Sequence, residues 1–282
     1  MRIAISAEST IDLQKSLLKE YDIKIIPFTL VLGEETHLDG DLSCEELFAF
    51  TDKTGNLPHT SAVNPAQYHE HFEKLLEDHD AIIHFSLSST MSSAFQNACL
   101  VAASLGKEIY CIDSASLSTG IALLAVYARK LVNEGKEAKE IVELVKKRVP
   151  FVQASFSLES VNYLYKGGRC STLSFLGANL LHLKPQIYVR NGSMVPARKD
   201  RGPMLKVVMN YVEDTLRLYN NPDYENVFLT YSTAPEEVLQ AVETRLKEAG
   251  FKKIMRTTAN GTISSHCGPH CLGILYINDG AH

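Results

Sequence analysis

Residues 82–95 read I-I-H-F-S-L-S-S-T-M-S-S-A-F. The apolar residues at 82, 83 and 85 predict a short buried strand, and a helical pattern begins at Ala94. Six hydroxyl residues stand between the two: Ser86, Ser88, Ser89, Thr90, Ser92 and Ser93. One hydroxyl is enough to cap a helix, so six favour a binding site over a cap. With the unpaired N–H groups and positive dipole end of the helix, they predict a cradle for a carboxylate or a phosphate.

Strand and helix patterns alternate along the first half of the chain. The predicted strands are Arg2–Ser6, Ile23–Leu32, Ala81–Phe85 and Glu108–Asp113. The predicted helices are Asp12–Tyr21, Cys44–Lys53, Pro65–Asp78, Ser92–Leu105, Ser118–Asn133 and Ala138–Arg148. This alternation predicts an α/β fold with a mainly parallel sheet flanked by helices. Because ligands bind at the carboxyl ends of such strands, the hydroxyl-rich turns at 6–10, 86–93 and 113–116 are expected to share one binding edge.

The second half of the chain has a different pattern. At 282 residues the chain is long for one core. Pro150 ends a charged helix, so we predict an N-terminal α/β domain over residues 1–150 and a C-terminal α+β domain over residues 151–282. Within the second domain, a hairpin is predicted to turn at Asn191-Gly192.

Composition and charge narrow the functional classes. The formal net charge is −5 and the pI is near 6.1, so no basic stripe is present to bind nucleic acid. The first residues turn polar at once and lack the apolar core of a signal peptide, and no apolar run reaches the length of a membrane span. The six cysteines are therefore expected to be reduced thiols in a cytoplasmic protein.

Three further segments carry candidate chemistry. Thr60 and Ser61 precede a predicted helix and are credible extra donors to an anion. His266-Cys267-Gly268-Pro269-His270-Cys271 lacks the spacing of structural zinc pairs, so we predict no metal site and expect a Gly-Pro loop to place His266 in a cleft. Lys166-Gly167-Gly168-Arg169 fits a phosphate cradle and a helix C-cap with a solvated arginine equally well.

Catalytic motifs are missing from the chain. No G-x-S-x-G elbow occurs, and the segment after the first strand contains no glycine for a dinucleotide fingerprint. Ser92 and His266 would form a hydrolase dyad for a small acyl ester, but no acid is evidently placed to orient the imidazole. A binder of a small phosphorylated metabolite is a second alternative. The apolar stretch Leu173–Leu183 is either a buried helix or the lining of an acyl tunnel.

In their order and spacing, these segments resemble the DegV family of bacterial fatty-acid-binding proteins over essentially the whole chain. The resemblance rests on S-A-E-S-T-I-D-L (6–13), T-S (60–61), F-S-L-S-S-T-M-S-S-A-F-Q (85–96), I-D-S-A-S-L-S-T-G (112–120), Y-L-Y-K-G-G-R (163–169) and H-C-G-P-H-C-L-G (266–273). It implies two domains with a long-chain fatty acid between them and the acyl chain buried in the second.

The resemblance also implies roles for individual residues. The carboxylate would be held by Thr60, Ser61, Ser92 (with Ser93 adjacent) and His266. Arg201 matches a family arginine near the head group. Such proteins are not enzymes and need no cofactor; they present the fatty acid to a separate fatty acid kinase, which phosphorylates the carboxylate. Transient contact with a membrane surface would allow ligand exchange. This chain departs from the family pattern at Ala7, residues 62–64, Ser93 and His270, all near the expected head-group edge.

Overall fold

The computed structural model describes residues 1–169 and 183–280. The strands there are β1 (Ile3–Glu8), β2 (Ile23–Ile26), β3 (Thr29–Leu32), β4 (Glu35–Leu38), β5 (His59–Ser61), β6 (Ala81–Ser86), β7 (Ile109–Asp113), β8 (Val152–Gln153), β9 (Ser155–Ser157), β10 (Lys184–Arg190), β11 (Ser193–Asp200), β12 (Asn226–Tyr231), β13 (Lys253–Thr258) and β14 (Leu272–Ile277). The α-helices are α1 (Lys15–Glu20), α2 (Cys44–Thr54), α3 (Pro65–Leu76), α4 (Ala94–Leu105), α5 (Thr119–Asn133), α6 (Ala138–Arg148), α7 (Asn162–Lys166), α8 (Met204–Leu218), α9 (Glu236–Glu248) and α10 (Gly261–Cys267).

A four-stranded parallel sheet occupies the N-terminal half, in the order β2-β1-β6-β7. Every residue of β1 and β6 is buried, as expected of central strands with helices on both faces. Helices α3 and α4 pack on one side, and α5 and α6 pack on the other. This arrangement confirms the predicted α/β fold with a parallel sheet flanked by helices.

A mixed sheet forms in the C-terminal half, in the order β11-β10-β9-β14-β12-β13, with β8 also paired to β14. Its pairs are antiparallel except for β12 with β13. Helix α5 contacts β1 and β6 of the first sheet and also β12 and β14 of the second, so it is buried between the two sheets. One apolar cluster therefore runs from Ile5 through Leu124 to Leu275. The predicted boundary at Pro150 falls in a short 3-10 helix, Val149–Phe151, and stays a prediction.

Two local features differ from the sequence prediction. The single strand predicted over Ile23–Leu32 is divided at Pro27, which has no N–H to donate to a ladder. Strand β3 then pairs with β4 and β5 in a small antiparallel sheet, which was not predicted. Most of the apolar segment 173–183 lies outside the described residues. The hairpin turn at Asn191-Gly192 is confirmed, with φ of 50° and 78°.

Candidate functional site

A cavity opens where the hydroxyl-rich turns of the first sheet meet α10. The empty space within it is about 740 Å³, part of which is open solvent. The lining combines polar and apolar side chains: Phe28, Thr60, Ala62, Leu87, Met91, Ser92, Ser93, Leu117, Arg169, Met194, Thr262, Ile263, His266 and Cys267. Four of the six head-group residues predicted from the sequence thus face one cavity.

Thr60 and His266 form the polar centre of this cavity. The Oγ1 of Thr60 lies 3.0 Å from Nε2 of His266, although the two residues are far apart in the chain. Pairing of β5 with β3 positions Thr60 opposite Leu30, and α10 packs against both of these strands. His266 is in the last turn of α10 rather than in the predicted Gly-Pro loop, which begins only at Gly268. That part of the prediction was wrong.

The imidazole of His266 is neutral at physiological pH. Burial, together with the positive charge of Arg169, lowers its pKa to about 4. Its Nδ1 has no hydrogen-bond partner among the described residues. A Cβ added at Gly167 would lie 2.4 Å from that nitrogen, so the backbone of Gly167 packs directly against the ring. The ring is therefore held between Thr60 and Gly167.

The serine turn, residues 87–93, divides its hydroxyls between two roles. Ser92 and Ser93 line the cavity, and Ser92 Oγ accepts a hydrogen bond from the N–H of Ala94 at 3.2 Å. Ser88 and Thr90 instead donate to the carbonyl oxygen of Gly192, at the tip of the β10–β11 hairpin. The prediction of one cradle made of six hydroxyls was therefore too broad.

The hairpin tip is closely fitted to the serine turn. Gly192 has φ of 78°, and a Cβ added there would lie 2.6 Å from Ser88 Oγ. We expect Gly192→Ala to destabilise the protein by about 1–3 kcal/mol, through backbone strain and the clash together. Urea unfolding measures the change. Gly106→Ala is the control, since it has a similar φ of 59° but no atom within 4 Å of an added Cβ. An equal loss in both variants would contradict a specific fit at the hairpin tip.

The other two predicted site residues, Ser61 and Arg201, are exposed and do not line the cavity. The described cation at the cavity is Arg169, whose Nη1 donates to the carbonyl oxygen of Gly167 at 2.9 Å. The Lys166–Arg169 segment thus ends α7 and also places its arginine at the cavity. Gly168 adopts a φ of 66°, which is typical of a chain leaving a helix.

Two buried carboxylates, missed in the sequence, hold the start of α10. Asp12 Oδ1 accepts from the N–H of Asn260 at 2.7 Å, and Asp39 Oδ1 accepts from the N–H of Thr262 at 2.9 Å. Burial raises the pKa of both carboxyl groups. Carboxylates are favourable at a helix N-terminus because they satisfy unpaired N–H groups there. Asp12 and Asp39 therefore position the helix that carries His266.

A second, mostly apolar cavity adjoins the first. The empty space within it is about 350 Å³, part of which is open solvent, and Leu117, Ile263 and Cys267 line both cavities. Its remaining walls come from the second sheet and its connections, among them Phe156, Tyr231 and Leu275. The site thus has a polar end at Thr60 and His266 and an apolar end between α5 and the second sheet.

The described part of the site contains neither a hydrolase triad nor a cluster of metal ligands. His266 Nε2 contacts Thr60, and no described carboxylate accepts a hydrogen bond from its Nδ1, so the imidazole has no orienting acid. Among residues 1–169 and 183–280, no three His, Cys, Asp or Glu side chains are grouped as metal ligands would be. None of the helices in those ranges combines the length and apolar character that crossing a bilayer requires.

Comparison with known proteins identifies relatives that bind fatty acids. A relative described as a fatty acid-binding protein, from Thermotoga maritima, is 26% identical over 281 residues, covering 97% of this chain and 96% of its own. Two solved structures share the fold. One is a DegV family protein from Thermus thermophilus with fatty acid binding, with a TM-score of 0.91, 21% identity and coverage of 99% and 100% of the two chains.

The other solved structure is the Fatty Acid Kinase (Fak) B3 protein of Streptococcus pneumoniae loaded with linoleic acid. Its TM-score is 0.84 at 20% identity, with coverage of 99% of this chain and 100% of that one. A family model described as "Uncharacterised protein, DegV family" matches residues 2–279. That match spans nearly all of the sequence, including every segment that forms the cavity. The chain therefore belongs to the DegV family.

Proposed function

We propose that this chain binds a long-chain fatty acid, with the carboxylate at Thr60, Ser92, Ser93 and His266 and the acyl chain in the second cavity. The observation that carries the proposal is the sharing of walls between a polar hydroxyl–imidazole site, with Arg169 also in its lining, and an apolar cavity. A fatty acid has the same division into a polar head and an apolar tail. Known fatty-acid-binding relatives of the same fold support this reading.

The donors at the polar end suit an ionised carboxylate. The Thr60 O–H and the ring N–H of neutral His266 are both donors. One of them is used in their mutual contact at 3.0 Å, so the carboxylate accepts from the other, or from both if binding opens that contact. Ser92 and Ser93 lie at the start of α4, where unpaired N–H groups and the helix dipole favour a negative charge. Each charge-assisted hydrogen bond would contribute about 1.5–3 kcal/mol. Ser61 and Arg201 stay proposed head-group residues, although both are exposed and would approach the carboxylate only from the solvent side.

We further infer that the chain presents the fatty acid rather than transforming it. The cavity is partly open to solvent, so a carboxylate oxygen there would be accessible to a phosphoryl donor on a partner protein. The structural similarity to a Fatty Acid Kinase (Fak) B3 protein supports a fatty acid kinase as that partner. No general base is needed from this chain, since an ionised carboxylate is itself the nucleophile.

The direct test is to identify the ligand that copurifies with the protein. Native mass spectrometry of gently purified protein should show one fatty acid of 14 to 18 carbons per chain. Delipidated protein should take up added hexadecanoic acid and should rise in melting temperature with its concentration. Protein that carries no fatty acid and binds none that is added would refute the proposal.

The shared wall predicts control over acyl chain length. Ile263 lies on α10 and lines both cavities, so Ile263→Phe should narrow the passage between them. We expect the affinity for hexadecanoic acid to fall about tenfold, while decanoic acid binds nearly as before, because each buried CH₂ contributes about 0.8 kcal/mol. Isothermal titration with both acids measures this. Leu100→Phe, at a residue 64% exposed on α4, is the control. Equal losses of affinity for hexadecanoic acid and decanoic acid would contradict the placement of the acyl chain in the second cavity.

A further inference from the structure

A fully buried carboxylate lies directly behind the serine turn. Glu8 ends β1, and its side chain has no solvent exposure. The N–H of Leu87 donates to its Oε2 at 2.6 Å, and the hydroxyl of Tyr68 donates to its Oε1 at 2.6 Å. His84 Nε2 lies 3.3 Å from the same Oε1. Glu8 therefore joins the backbone of the serine turn to α3 and β6.

All three groups that contact the Glu8 carboxylate are hydrogen-bond donors. Tyr68 and Leu87 present O–H and N–H groups, and His84 presents an N–H when its other nitrogen accepts. An ionised carboxylate satisfies all three, whereas a carboxylic acid would present its own proton to one of them. Charged acceptors with several donors make the strongest hydrogen bonds in a protein interior. The N–H of Leu87 is therefore held firmly at the point where β6 ends.

A relay of side chains extends from this carboxylate towards the surface of α3. The hydroxyl of Ser6 lies 3.0 Å from His84 Nδ1 and 2.8 Å from His71 Nε2. With His71 Nε2–H donating to Ser6, Ser6 donating to His84 and His84 donating to Glu8, every group has a partner. The order Ser–His–Glu is that of a hydrolase triad, but Ser6 has no exposed surface. The relay is therefore unavailable to a substrate.

The imidazole of His71, at the outer end of the relay, is uncharged in neutral solution. Burial, together with the neighbouring His84 and Lys74, lowers the pKa of His71 to about 3. Tyr68 faces the carboxylate from α3, and Cys111 lies near it from β7. Burial raises the pKa of Tyr68, and the hydrogen bond with Cys99, together with burial, raises the pKa of Cys111, so both groups stay neutral. The hydrogen bonds from Leu87, Tyr68 and His84 therefore stabilise the Glu8 side chain.

We propose that Glu8 is a positioning residue for the fatty-acid carboxylate site, acting through Leu87. Leu87 lines the cavity and begins the turn that carries Ser92 and Ser93. On the opposite side, the same turn is held by the Gly192 carbonyl. Glu8 therefore determines where the start of α4 lies relative to Thr60 and His266. This inference rests on the proposed function, because the site it organises is the proposed carboxylate site.

The experiment compares Glu8→Gln with Tyr68→Phe. In Glu8→Gln, an amide NH₂ must face one of the donors, and the bond to Leu87 N–H is weakened. In Tyr68→Phe, one donor is lost but the bond to Leu87 stays. Both variants lower the melting temperature. Only Glu8→Gln is expected to speed amide hydrogen exchange at Leu87 by tenfold or more and to weaken hexadecanoic acid binding about tenfold.

The outcomes separate this inference from the proposed function. If the wild-type protein binds fatty acid and Glu8→Gln binds it with the same affinity, the positioning role is overturned and the proposed function stands. Equal losses of affinity in Glu8→Gln and Tyr68→Phe would also overturn it, since they would show a general structural effect. Failure of the wild-type protein to bind fatty acid would overturn both. Should Glu8→Gln not fold, Glu8→Asp is measured in its place, with Leu87 exchange as the deciding readout.

Discussion

Replacing Gly167 by alanine should weaken fatty-acid binding on the order of 100-fold while the protein stays folded. The new methyl group would lie 2.4 Å from His266 Nδ1 and 3.0 Å from the carbonyl oxygen of Tyr163. The φ of Gly167 is −73°, an ordinary helical value, so alanine adds no backbone strain there. The imidazole must therefore move and lose its contact with Thr60. Displacing one polar group of a preorganised site by about 1 Å costs on the order of 100-fold, and we expect a loss of that size.

The control for this substitution is the next residue. An added Cβ at Gly168 meets no atom within 4 Å, and Gly168→Asn suits its φ of 66°, since asparagine tolerates the left-handed region. Isothermal titration with hexadecanoic acid should show near wild-type affinity for Gly168→Asn and an affinity lower on the order of 100-fold for Gly167→Ala. Wild-type affinity in Gly167→Ala would mean that His266 does not hold the carboxylate.

Replacing His266 by glutamine should reduce fatty-acid affinity about 10- to 100-fold and remove its pH dependence. Burial holds the pKa of the free protein's His266 near 4, below the ordinary 6.5. A bound carboxylate beside the ring favours the charged imidazolium and so raises this pKa. Binding is then coupled to proton uptake. Wild-type affinity should therefore increase as the pH falls through the raised pKa of the bound state towards the free value of about 4, and the affinity of His266→Gln should not.

A second histidine nearby provides the matched control. His270 is half exposed, and its ring contacts Thr233 and Glu159 rather than the cavity. His270→Gln should keep both the affinity and its pH dependence. Isothermal titrations of fatty-acid binding in buffers of different ionisation enthalpy would also measure the number of protons taken up on binding. A pH dependence that persists in His266→Gln would place the titrating group elsewhere.

Most of the sheet could be predicted from the sequence, because β1, β6 and β7 are short apolar runs that alternate with helical patterns. The shared binding edge was predicted for the same reason. The three turns do meet: the N–H of Ser88 donates to the carbonyl oxygen of Ser116 at 2.9 Å, and Glu8 accepts from Leu87. Local patterning is informative where an element is buried and regular.

The residues that complete the site were harder to predict. Helix α10 has the sequence G-T-I-S-S-H-C, in which glycine, serine and β-branched residues disfavour a helix. It forms because Asp12 and Asp39, distant in the chain, satisfy its first N–H groups. Strands β4 and β5 are short and mostly polar, so they show no alternation. These features depend on tertiary contacts, which a local pattern does not contain.

The most direct test of the account is a crystal structure with 16-bromohexadecanoic acid bound. Anomalous scattering from bromine locates the tail independently of the head group. We predict bromine in the apolar cavity near Phe156 and Leu275, with carboxylate oxygens within hydrogen-bond distance of Thr60 Oγ1 and His266 Nε2. Bromine beside Thr60, or a carboxylate that contacts neither residue, would contradict the central claim.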